Sequence, residues 1–160
     1  MKISKDQKHA YMRQAIREAR KNLRRPKGGP FGACLIRDGR ILAVTRNTVL
    51  DADATCHAEI NAIRLASRRM KTYDLSGCVI FSTTEPCPMC FSAIHWARIQ
   101  GVYYGTTIQD VRKLGFNELM LSACTMKARG NSSVRIFPGF MRDECRQLLK
   151  DWSTQQQIVY

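Results

Sequence analysis

Residues 78–90, Cys78-Val79-Ile80-Phe81-Ser82-Thr83-Thr84-Glu85-Pro86-Cys87-Pro88-Met89-Cys90, change character twice. Cys78 to Thr83 is a short apolar run and reads as a buried strand. Thr84-Glu85-Pro86 is a turn. Pro88 suits the first position of a helix, where its missing N–H is no loss and its φ is already set. That helix reaches about Arg98, Gly101 closes it, and Val102 to Tyr104 is the next strand. Strand, helix, strand is a parallel crossover, which puts the chain in the α/β class.

Upstream, Met12, Ile16, Ala19 and Leu23 give one apolar stripe at helical spacing, so a helix is expected from about Lys5 to Arg25, ended by Pro26 and Gly28-Gly29-Pro30. Phe31–Arg37 and Arg40–Thr45 alternate like strands and flank Asp38-Gly39, the strongest short hairpin signal. A polar loop spans Arg46–Ala54. Thr55 is read as the N-cap of a helix reaching Met70, whose buried stripe is Ile60, Ile63, Ala66 and Met70. Downstream, Ile108–Arg129 holds one or two helices around Gly115, Val134–Phe137 an edge strand, and Phe140–Trp152 a last helix. The sum is a mixed sheet with helices on both faces.

At 160 residues one domain is expected over 1–160, with 153–160 a tail. No apolar run approaches the roughly 20 residues of a membrane span, and the basic first 27 residues lack the apolar centre of a secretory signal. Seven cysteines at irregular spacing fit a reduced, cytoplasmic setting, with Cys34 and Cys78 as small buried hydrophobes. The net charge is +13, of which residues 1–27 supply +8. Arg13, Arg17, Arg20 and Arg24 share one helical stripe. The stripe reads either as a footprint for RNA through the N-terminal helix or as a solvated face. The second reading is favoured, because no aromatic residues interleave the arginines as a stacking platform.

Cys87-x-x-Cys90 alone fits a redox pair, half of a structural zinc site, or part of a catalytic one. A structural site needs a fourth ligand, for which His9, His95, Cys56 and Cys124 are available. His57-Ala58-Glu59, about thirty residues upstream, changes the balance. Two thiolates and one imidazole hold Zn²⁺ and leave a position for water, as in catalytic sites. Both motifs fall at helix N-termini, whose unpaired N–H groups favour thiolate over thiol. Glu59 is then the general base that carries the proton from water to the leaving amine.

These residues resemble the zinc-dependent cytidine/nucleobase deaminase superfamily, with its H-x-E…P-C-x-x-C signature. The likeness runs through Gly29-Pro30-Phe31-Gly32-Ala33, Asn47, His57-Ala58-Glu59-Ile60, Glu85 to Cys90 and Ala93-Ile94-His95-Trp96-Ala97-Arg98. It implies a three-layer α/β/α sandwich around a mixed five-stranded sheet, a zinc cofactor held by His57, Cys87 and Cys90, hydrolytic loss of ammonia, and a homodimer.

Within the superfamily the chain is most similar to bacterial guanine deaminases, through Pro88-Met89, Trp96-Ala97-Arg98 and Gly115-Phe116-Asn117-Glu118, where those enzymes usually carry Gly-Phe-Asp-Asp. Many of them also end in tyrosine, as this chain does at Tyr160, and close the active site with that tail. The resemblance implies guanine as substrate, oriented by the Asn47 side chain and the Ala58 N–H, with Glu118 accepting from the ring or amine and Phe31 or Trp96 packing on it. The tRNA adenosine deaminases share the zinc motif. Gly105-Thr106-Thr107-Ile108-Gln109-Asp110 departs from their usual Gly-Ala-Arg-Asp-like stretch, while the +13 charge favours them. A nucleic-acid-binding module without turnover is the third reading, disfavoured by Glu59.

Overall fold

A computed structural model describes residues 3–155 and 158–160. A five-stranded sheet runs in the order β2-β1-β3-β4-β5. Its strands are β1 (Gly32–Arg37), β2 (Arg40–Arg46), β3 (Cys78–Thr84), β4 (Gly101–Thr106) and β5 (Arg135–Phe137). β1 pairs antiparallel with β2 and with β3, whereas β3–β4 and β4–β5 are parallel. The sheet is therefore mixed, with its sign change at β1–β3. The hairpin turns at Asp38 and Gly39, whose φ values of 49° and 78° are the left-handed pair a two-residue turn of this hand requires.

Among the described residues six α-helices cover the sheet: α1 (Lys5–Arg24), α2 (Ala58–Met70), α3 (Pro88–Trp96), α4 (Ile108–Arg112), α5 (Ala123–Arg129) and α6 (Arg142–Ser153). Strand alternation decides which side each faces. Ala33 and Leu35 of β1 join the core under α2 and α3, while Cys34 and Ile36 join the core under α1 and α6. On the α1 and α6 side an aromatic ladder crosses the parallel strands. Phe81 stacks on Tyr103 at 4.9 Å and Tyr103 on Phe137 at 4.2 Å, each pair being register partners. Cross-strand pairs of this kind contribute about 0.2–1 kcal/mol each. Cys34 and Cys78 are fully buried.

Several local expectations shift. α1 opens on a capping box, Ser4 with Gln7. The cap of α2 is His57, not Thr55. Thr55 is engaged elsewhere: its N–H and hydroxyl both donate to Asp53 Oδ1, so the side chain closes a turn two residues before the helix. Gly101 does not close α3. That helix ends at Ala97 and turns through Arg98 at φ 60°, and Gly101 begins β4, 3.1 Å of Cβ clearance from the Arg135 carbonyl. The 108–129 region is two short helices joined by residues 113–122. No helix among the described residues is long and apolar enough to cross a membrane.

Candidate active site

β3 leads through Glu85 and Pro86 to Cys87, which caps α3 with Pro88 as its first residue. The N-terminus of α2, capped by His57, meets it. His57 Nδ1 lies 3.7 Å from Cys87 Sγ and 3.5 Å from Cys90 Sγ. The three donor atoms all fall within 4.8 Å of one another, and no fourth His, Cys, Asp or Glu joins them among the described residues. Of the earlier alternatives for a fourth ligand, His95 bonds Ser132 and Cys56 bonds Asp53. Two sulfurs and an imidazole nitrogen converging at this distance are the donor chemistry zinc takes, so the residues fit the ion.

The local electrostatics favour a ligated state. The hydrogen bond from Cys90 pulls the Cys87 thiol down to about 4 against the opposing effect of burial. Cys90, the donor in that bond and wholly buried, is pushed well up. Burial pulls His57 down, but its bond to Cys87 and the charges of Glu59 and Cys87 outweigh this and leave it above its usual value. Glu59 is 6% exposed. Burial lifts its carboxyl above the ordinary range, partly offset by His57 and reinforced by Cys87. Ser82 Oγ donates to Glu59 Oε1 at 2.8 Å, and Oε2 faces Cys90 Sγ at 3.5 Å.

The cleft above these groups has a volume of about 290 Å³. Phe31, Asn47, His57, Glu59, Cys87 and Glu118 all line it. Asn47 is fully buried: its Oδ1 accepts from the Val49 N–H and the Tyr160 hydroxyl, and its Nδ2 has no partner. The backbone comes close here, since a Cβ on Gly28 would stand 1.9 Å from Asn47 Oδ1, so only glycine fits. Glu118 is half-buried, and burial followed by the Cys87 charge lifts it to about 7, with His57 opposing. Phe31 meets Phe116 edge-on at 5.1 Å. Ala58 is the first residue of α2, its side chain buried in the core and its carbonyl bonded by Thr45.

Trp96 is placed elsewhere, which corrects the expectation that it packs on the substrate. It is 77% exposed and lines a separate depression with Tyr73, His95 and Arg98. Nine helical positions separate it from Cys87, about 13 Å along the axis and half a turn round, so one helix does not bring both to one cleft. The arginines of the α1 stripe are exposed and none lines the cleft. Arg20 pairs with Asp151 on α6 at 2.8 Å.

Among the other cleft residues Phe116 belongs to the 115–118 motif, whereas Val49, Ala54 and Thr84 belong to none. Phe116, Val49, Ala54 and Thr84 line the walls, and Tyr160 closes one side. Its hydroxyl accepts from the Gly29 N–H and donates to Asn47, its ring stands edge-on to Phe116 at 5.5 Å, and its carbonyl accepts from the Asn117 N–H. The resemblance had signalled Tyr160; nothing in its sequence neighbourhood does.

Metal-assisted hydrolysis is the chemistry that such a donor set, with a buried carboxyl beside it, serves. The relatives specify which. Residues 5–106 match the cytidine and deoxycytidylate deaminase zinc-binding region, and the chain belongs to that family: it is a zinc-binding deaminase domain, a hydrolytic enzyme. It is 38% identical over 109 residues to the guanine deaminase of Bacillus subtilis (strain 168), covering 68% of this chain and 70% of that one. It is 30% identical over 156 residues to a tRNA-specific adenosine deaminase of Streptococcus pyogenes serotype M18, covering 97% and 95%. The solved guanine deaminase of Nitrosomonas europaea superposes with a TM-score of 0.83 at 28% identity, over 91% of this chain and 84% of that one. The fold and site are thus those of a deaminase of the guanine-deaminase and tRNA-adenosine-deaminase type.

Proposed function

We propose that this enzyme deaminates a free purine base, converting guanine and water to xanthine and ammonia. The observation that carries the reading is the enclosure of the cleft. Tyr160, held by Gly29 and Asn47, shuts one side of a space of about 290 Å³, at the small end for ligand pockets. A flat base fits such a space against the wall that Phe31 and Phe116 form together.

His57, Cys87 and Cys90 would hold zinc, which when bound would draw the pKa of a water from about 15.7 towards neutrality. Glu59 handles the protons. Ser82 occupies Oε1, so Oε2 takes the proton of the attacking water, passes it to a ring nitrogen, and later delivers a proton to the departing amine. A carboxyl lifted by burial holds that proton at neutral pH better than an exposed one. Asn47 offers its unpartnered Nδ2 to the ring carbonyl, and the Ala58 N–H, between His57 and Glu59, is a second donor. Glu118 accepts from the ring N–H or the exocyclic amine.

An ammonia-release screen over guanine, guanosine, adenine, cytosine, cytidine and an anticodon-loop RNA tests this. Guanine is expected to lead. Turnover of the RNA without guanine would replace the reading by the second one, adenosine deamination in tRNA. The +13 charge and the Streptococcus relative favour that alternative.

We further propose a homodimer, which would cover Trp96, Leu119 and Met120, large apolar side chains exposed at 77%, 69% and 49%. Sedimentation at micromolar concentration is expected to give twice the chain mass; a monomer would remove this proposal.

A further inference from the structure

Glu85 is a buried carboxylate, 7% exposed, that the proposed chemistry does not use. Its two oxygens hold two backbone groups far apart in sequence. Oε2 accepts from the Ile108 N–H at 3.1 Å and Oε1 from the Ala123 N–H at 3.0 Å. Its own N–H donates to the Thr106 carbonyl at 2.8 Å. Ile108 opens α4 and Ala123 opens α5. Their first N–H groups have no partner inside the helix, so a carboxylate satisfies both at once.

The chain between those two points carries Phe116, Asn117, Glu118 and Leu119, all in the wall of the cleft. The same stretch docks Tyr160 through Asn117 and Phe116. Residues 113–122 hold neither helix nor strand, so this wall is fixed by its anchorage at the two ends together with the packing of Phe116 on Trp152 and Tyr160. Two residues beyond Glu85 is Cys87. One short segment therefore supplies a zinc ligand and the anchor of the opposite wall.

We propose that Glu85 is a positioning residue: through Ile108 and Ala123 it sets the distance of Glu118 from the zinc ligands, and so the fit of the base. This rests on the reading of Glu118 as a substrate contact. The hydrogen-bonding logic is specific to a carboxylate. In Glu85→Gln one oxygen becomes an NH₂ that faces an N–H, so one of the two bonds is lost while size and shape stay.

The test is a double-mutant cycle of Glu85→Gln and Glu118→Ala on the zinc-loaded enzyme, read with amide hydrogen exchange. Glu85→Gln is expected to keep one zinc per chain and to lower kcat/KM by about a hundredfold, the scale of a misplacement near 1 Å. Because Glu85 acts through Glu118, adding Glu85→Gln to Glu118→Ala should cost little more. Exchange at Ile108, Ala123 and 116–119 should quicken, with β1, β3 and β4 unchanged. Losses that multiply, unchanged exchange at 108 and 123, or uniform loss of protection across the sheet would each overturn the proposal. If the parent enzyme leaves guanine untouched, the guanine reading fails by itself. The cycle is then run on whichever substrate of the screen the parent deaminates, and the exchange arm needs no substrate.

Discussion

Glu59→Gln keeps its fold and its zinc and loses at least two to four orders of magnitude in turnover, the usual worth of a general acid–base group. The substitution is close to isosteric, and Ser82 Oγ still finds an oxygen at the Oε1 position. What disappears is the acceptor at Oε2. The stability effect has a definite sign. Burial holds the Glu59 carboxyl above its ordinary range, so the native state binds this proton more tightly than the unfolded chain. Stability is then lost as pH rises from the ordinary carboxylate range through the raised one. Glutamine has no such loss. In the chelated protein, Glu59→Gln should melt higher than the parent at pH 7, and the difference should vanish at pH low enough to protonate the carboxyl in both states. Thermal melts at the two pH values, with ammonia release and metal analysis of the zinc-loaded protein, check all three statements. A variant with parental turnover would sink the role given to Glu59.

The four groups at the centre were legible because each motif is local. His57 and Glu59 lie two residues apart at the start of one helix, and Cys87 and Cys90 share one turn of another. Sequence spacing then fixes geometry within each pair, and a strand of the right type between them brings the pairs together. The crossover from β3 through α3 to β4 was legible for the same reason.

Contacts between residues far apart along the chain left no local signal, and Tyr160 was marked by the resemblance alone. Tyr160 meets residues 131 and 113 positions away, and Glu85 meets backbone groups 23 and 38 positions away. Backbone donors leave no trace in residue identity. Thr55 failed as a cap because its hydroxyl is held by side chains: it donates to Asp53 two residues earlier and accepts from Arg64 in place of a helix N–H. Trp96 failed through helix geometry. A motif neighbour nine residues on shares the family pattern without sharing the cleft, and the opposite face of α3 is where it stands.

Removal of zinc, or of one ligand by Cys90→Ala, should abolish activity and lower the melting temperature together. The ligands come from the N-termini of two helices, so the ion cross-links elements that otherwise meet through the apolar core. Without the ion, Cys90 keeps a proton in a fully buried position and donates it towards Cys87, and the burial penalty of Glu59 is offset only in part, by His57. Zinc binds the native site and not the unfolded chain in any comparable geometry, so its binding free energy adds to folding. At free zinc a thousandfold above Kd that is about 4 kcal/mol. For a chain of this size 1 kcal/mol moves the melting temperature by about 2–4 °C, so chelation should lower it by about 10 °C. Zinc should restore the parent and leave Cys90→Ala unchanged. The pH dependence follows from the ligands. Cys90 and His57 both hold protons more firmly than usual in the metal-free site, and binding must displace them. Affinity therefore weakens as pH falls, and activity should be lost on the acid side in step with zinc release. Melting curves with and without chelator, and metal analysis after dialysis at stepped pH, read these effects. A parent indifferent to chelator, or a Cys90→Ala variant retaining one zinc per chain, would remove Cys90 from the metal site.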